Sequence, residues 1–181
     1  MDNTIRIAIY IDGSNLYHKL KNLNIKKTSD FNYQALCKFL AQKRKLISSR
    51  YYVGAVRAKS DDQLGQLKRI NQQKFFNNLE KQNIVVKQGY LMETAGIFHE
   101  KGVDVKIAVD LLVGAYDDLY DVAILISSDT DLIPAIKKLR HLGKRLEYIG
   151  FLHGPSFALQ KNSNVSRLLD RRDLEDFVNK T

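Results

Sequence analysis

The chain has 181 residues, 44% of them hydrophobic and only two of them proline, which excludes disordered, collagen-like and low-complexity classes and fits one domain with a sizeable core. Its formal net charge of +9 creates a field that attracts anions, nucleic acid first and an acidic membrane surface second. A single cysteine, Cys37, excludes an intramolecular disulfide and any cysteine-based zinc cluster.

Residues 1–4 carry no basic run, and the apolar stretch that follows contains Arg6, so no signal peptide is expected. Residues 5–11 form an almost unbroken apolar run ended by Asp12-Gly13, which predicts a strand buried on both faces, the habit of parallel sheets. Residues 33–45 follow with helical period, after a shorter helix over 16–23. Strands are predicted at 51–56, 84–86, 122–126 and 146–149, with helices at 63–82, 103–115 and 132–142 between them, and residues 92–101 read as a loop or hairpin. Gly143 with basic neighbours stops the helix over 132–142. After the break at Gly154-Pro155, residues 156–177 are predicted helical, so 154–181 is expected to pack as a C-terminal helical appendage on a single domain spanning 1–181. This alternation implies an α/β fold, a three-layer sandwich around a central, mostly parallel five-stranded sheet. No apolar run reaches the roughly 18 residues of a membrane span, and a cytoplasmic location is the default expectation.

Four aspartates stand where apolar elements end, begin or turn: Asp12, Asp104, Asp129 and Asp131. Ligands of open parallel sheets bind beyond the carboxyl ends of the strands, where Asp12 closes one strand and Asp129 and Asp131 follow another. At 100° per residue Asp104 shares its helical direction with Ile107, Ala108, Leu111 and Ala115, so it is expected to face inward, while Lys106 and Asp110 form a surface pair on the other side. Carboxylates about 5 Å apart repel by roughly 3 kcal/mol per pair at an effective dielectric of about 20, so a shared pocket needs a cation or protons. All-oxygen donors without a histidine or cysteine cluster favour Mg²⁺ or Mn²⁺ over Zn²⁺, and such an ion can activate water and stabilise charge on a phosphate. Each residue also has an ordinary structural use: Asp12-Gly13 as a tight turn, Asp129 or Ser128 as a helix cap, and Asp104 as the partner of a buried cation. Asn15, Ser127 and Ser128 are candidates to orient an aspartate or a bound water or to touch substrate, with capping of the next helix the ordinary use of Asn15.

The sequences I-D-G-S-N at 11–15, K-G-V-D-V-K at 101–106 and S-S-D-T-D-L-I-P at 127–134 together resemble the NYN domain of the PIN-like nuclease superfamily, and its LabA-like branch most. The resemblance covers essentially the whole chain. It implies a PIN-like, Rossmann-like fold and a metal-dependent ribonuclease in which Asp12, Asp104, Asp129 and Asp131 carry Mg²⁺ or Mn²⁺, with Asn15 and Ser127 beside them. Ser128 stands where many relatives have glycine and Leu132 where an aromatic is common, which alters the local loop and removes no ligand.

Under this reading the partner is RNA, single-stranded or structured, no membrane is involved, and a homodimer is a candidate assembly. Lys101, Lys137, Lys138, Arg140, Lys144 and Arg145 are the expected RNA contacts, since the last five follow the helix and turn that begin at the proposed site. The competing function is a non-catalytic RNA-binding or regulatory module that retains the acidic pocket. An adhesion-type metal site is disfavoured because Leu16 stands where that motif has serine, and an aspartyl phosphatase because Ser14 stands where that motif has a second aspartate.

Overall fold

The computed structural model describes residues 4–25, 28–56, 61–94 and 97–178. In chain order the elements are β1 (Arg6–Asp12), α1 (Gly13–Asn22), α2 (Tyr33–Ala41), β2 (Lys45–Val53), α3 (Gln63–Lys81), β3 (Val85–Gln88), β4 (Tyr90–Thr94), β5 (Ile97–Lys101), α4 (Val103–Tyr116), β6 (Val122–Ile126), α5 (Ile133–His141), β7 (Arg145–Phe151), α6 (Phe157–Asn162), β8 (Val165–Leu169) and α7 (Arg172–Glu175). Strands β3, β2, β1, β6, β7 and β8 lie side by side in that order, every neighbouring pair parallel. Strands β4 and β5 form a separate antiparallel hairpin.

Alternation along β1 explains both faces of the sheet. Ile7, Ile9 and Ile11 join one hydrophobic cluster with Leu16 and Leu20 of α1, Leu36 and Leu40 of α2, and Leu79 of α3. Ala8 and Tyr10 join another with Ile107 and Leu111 of α4, Ile136 and Leu139 of α5, and Leu159 of α6. Each fully buried Ile or Leu contributes about 1.5–3 kcal/mol, so a strand apolar on both sides is stable only inside such a sheet.

Four expectations are corrected. The sheet has six strands rather than five, because Val165–Leu169 pairs with β7 inside the segment predicted to be helical. That segment is therefore no helical appendage: only the short α6 and α7 flank its strand. The helix predicted over 33–45 stops at Ala41, where Gln42 takes a φ of 56° and Lys45 donates its N–H to the Ile5 carbonyl, entering the sheet beside β1. Asp110 forms no surface pair with Lys106. It accepts a hydrogen bond from the Tyr52 hydroxyl at 2.7 Å and lies 3.6 Å from Arg50, while Lys106 donates to the Gln88 carbonyl. The alternative of a hairpin for residues 92–101 holds for β4 and β5, and residues 95–96 lie outside the described set.

Candidate active site

From β1 the chain builds outward to β2 and β3 and then returns to place β6 on the other flank, so the strand order reverses between β1 and β6. A crevice opens at the carboxyl edge of such a switch point. Ile11 and Ile126 are register partners there, which brings the next residues, Asp12 and Ser127, out of the sheet side by side.

Asp12 is only 6% exposed and works in two directions. As N-cap of α1 its Oδ1 accepts the Asn15 N–H at 3.0 Å, and its Oδ2 accepts the Ser127 hydroxyl at 2.8 Å. Burial raises its pKa above the ordinary carboxylate value, and the charge of Asp129 adds to that shift, while the Asn15 and Ser127 hydrogen bonds oppose it. Gly13 is required by close approach: a Cβ there would lie 2.2 Å from the Tyr51 ring and 2.7 Å from the Tyr52 carbonyl oxygen. The Tyr51 hydroxyl donates to the Gly13 carbonyl at 3.1 Å, so Asp12-Gly13 is the seam between β1 and α1 rather than a turn.

The loop after β6 is folded by its own hydroxyl and carboxylate groups. Ser127 Oγ also accepts the Asp129 N–H at 3.1 Å, Asp129 Oδ1 accepts the Asp131 N–H at 2.8 Å, and the Ser128 hydroxyl donates to Asn15 Oδ1 at 3.3 Å. Asp129 thereby caps the 3₁₀ turn Thr130–Leu132 that leads into α5. On the facing side, Gly102 with a φ of 78° caps α4 and starts the helix that carries Asp104 in its first turn.

Asp12, Asp104 and Asp129 line one open cavity of about 700 Å³, together with Ser14, Asn15 and Ser128. Asp104 is exposed to that cavity rather than packed in the core, because the first turn of α4 projects past the sheet edge. Its pKa is raised by desolvation first, then by the charges of Asp129 and Asp12. Asp131 does not line the cavity; its side chain is exposed on the 3₁₀ turn. The remaining lining includes His18, Lys19 and Asn22 of α1, and Lys101 at the end of β5. The α1 residues were not among the predicted site residues, yet their spacing from Asn15 of three, four and seven positions places all of them on its helical face.

A family model of the NYN domain matches residues 6–169. The chain belongs to the NYN domain family. That family is part of the PIN-like nuclease superfamily, whose domains are generally nucleases and use divalent metals. A crystal structure of a protein of unknown function from Vibrio parahaemolyticus is similar to this NYN chain with a TM-score of 0.63 and 22% identity, covering 94% of this chain and 96% of that one. At that identity the likeness is one of fold. No curated protein matches.

The donors of this NYN pocket are carboxylate, amide and hydroxyl oxygens, which suit a hard divalent cation in kind. Among the described residues, no three His, Cys, Asp or Glu side chains stand close enough to share one ion directly, which suits an ion held by one or two carboxylates with water in its other positions. None of Lys137, Lys138, Arg140, Lys144 and Arg145 lines the cavity. Lys138 sits over the Tyr116 ring at the far end of α4, Arg140 donates to the Asn162 carbonyl, and Lys144 pairs with Asp118. Arg145 opposes Val122 at the amino edge of the sheet, the edge opposite Asp12. The cations on the cavity wall of the NYN domain are Lys19 and Lys101.

Proposed function

We propose that this NYN domain is a metal-dependent ribonuclease that hydrolyses RNA phosphodiester bonds endonucleolytically. The observation that carries the reading is the meeting of Asp12, Asp104 and Asp129, from three separate elements, in one cavity flanked by Lys19 and Lys101. These aspartates would hold Mg²⁺ or Mn²⁺, and the ion when bound supplies Lewis-acid charge that eases loss of a proton from water and offsets charge on the scissile phosphate. Ser127 and the Asn15 N–H fix the orientation of Asp12 through both of its oxygens. Asn15 in turn accepts from Ser128, so its amide is aimed by the loop that carries Asp129. Lys19 is tethered to the Gly154 carbonyl at 2.6 Å, and Lys19 and Lys101 would hold phosphates on the two sides of the reacting one. Asp131, outside the cavity, has no assigned ligand role.

Cleavage of a mixed set of single-stranded and structured RNAs, with Mg²⁺, Mn²⁺ or chelator, tests the proposal. Products are expected only with the metals and only from protein with Asp12 and Asp129 intact; full cleavage by folded Asp12→Asn or Asp129→Asn protein would sink it. The second reading, a non-catalytic RNA-binding module, is favoured by one observation: among the described residues no three acidic side chains converge at ligand spacing. It expects RNA retained intact under every metal.

A further inference from the structure

Helix α4 turns Val103, Ile107, Leu111, Gly114 and Ala115 toward the core. Its outer face presents Val105, Val109, Val113 and Tyr116, which are 66%, 50%, 47% and 60% exposed. Spacings of four, four and three residues set these side chains in one stripe along the helix. No charged residue interrupts the exposed positions between Val105 and Tyr116, although 27% of the chain is charged. Surface helices ordinarily carry charged or polar residues on this face, and valine is a weak helix former, so neither solvation nor helix propensity accounts for the stripe. Val85 of β3, half-exposed, extends the apolar surface beside it: Lys87, two residues on in the same strand, reaches Asp110 of α4.

We propose that this stripe is the contact face of a homodimer in which two copies of α4 pack antiparallel about a two-fold axis at Val109. A nucleic acid is a poor occupant, since three of the four side chains are valines and the cation beside Tyr116, Lys138, is seated over that ring at one end. A second copy fits for three reasons. The stripe is symmetric, with Val105 and Val113 each four residues from Val109, so a two-fold there opposes each to the other and Val109 to itself. The antiparallel setting opposes the helix dipoles and brings exposed Asp117 of each copy beside the amino end of the other copy's α4. The four side chains offer roughly 400 Å² per copy, about half of the ~800 Å² per partner of a standard interface, so the dimer is weak and reversible. The proposal does not depend on nuclease activity.

Sedimentation of the full chain over a micromolar concentration series is expected to rise from the mass of one chain toward that of two, and Val109→Lys is expected to remain a single chain throughout. With copper phenanthroline as oxidant, folded Val109→Cys is expected to link to itself as two thiols become one disulfide. Val105→Cys and Val113→Cys alone should link several-fold less, and their equimolar mixture should link to each other. Cys37 is buried and does not compete. A wild-type chain monomeric at every concentration, a Val109→Lys protein that dimerises like wild type, or self-linking of Val105→Cys equal to that of Val109→Cys would each overturn the proposal.

Discussion

Ser127 donates its hydroxyl to Asp12 Oδ2 at 2.8 Å, a side-chain bond between residues 115 positions apart. The same Ser127 oxygen accepts the Asp129 N–H, so one buried hydroxyl couples the end of β1 to the loop after β6. Ser127→Ala is expected to remove two hydrogen bonds at once and cost about 1–3 kcal/mol, a fall in Tm of roughly 2–12 °C for a chain of this size. A double-mutant cycle with Asp12→Asn should show coupling of at least about 0.5 kcal/mol; additive melting shifts would refute the coupling.

Asp12 binds its proton more readily in the folded chain than in the unfolded one, as does Asp104. Their contribution to stability is therefore full below the ordinary value of 3.8 and is lost as pH rises through their raised folded values. Metal-free Asp12→Asn is expected to melt above wild type at neutral pH, with the gap closing as pH falls. Melting curves that keep a constant gap, or place the variant below wild type, would contradict this.

The opposite sign belongs to Asp121, held down to about 2 by the Arg6 guanidinium, which bonds both of its oxygens. Its contribution is present above 3.8 and lost as pH falls toward about 2. Asp121→Asn should therefore lower stability at neutral pH by a small, salt-sensitive amount because the pair is partly exposed, and the loss should vanish in acid. Denaturant melts at both pH values check it, and a deficit that persists in acid would count against the assignment.

Divalent ions are expected to reverse the neutral-pH deficit of the wild-type chain. Mn²⁺ at about 100-fold over its Kd should raise stability by about 2.7 kcal/mol, and Asp129→Asn should lose most of that gain. A Tm insensitive to Mn²⁺ and Mg²⁺ would remove the metal from the proposed site.

Cations on the cavity wall should matter more for RNA than those at the opposite edge. Lys101→Ala is expected to weaken RNA binding and reduce the salt slope by about one, whereas Arg145→Ala should leave both nearly unchanged. Equal effects in a salt-titrated binding assay would return the interface to the predicted basic cluster.

By itself the sequence determined the strands whose signal is local. Residues 5–11 and 122–126 are continuous apolar runs, and burial on both faces leaves them one environment, the middle of a parallel sheet. It also determined the three motifs that place Asp12, Asp104 and Asp129 at element ends. Val165–Leu169 escaped because an edge strand with exposed Val165 and Ser166 carries half the apolar signal, and its partner β7 supplies the rest. The helical phase of Asp104 gives a direction about the axis, but phase says nothing of depth along the axis, and depth decides between core and cavity. Asp129 and Asp131 are two residues apart and equivalent in sequence; the capped 3₁₀ turn separates them. Likewise Lys144 and Arg145 follow the site in the chain but lie past the far end of α5 at the opposite edge, about 12 Å away for eight residues of helix. Tertiary structure alone decided which charges share a cavity, because Coulomb energy depends on distance through space and strand order sets that distance.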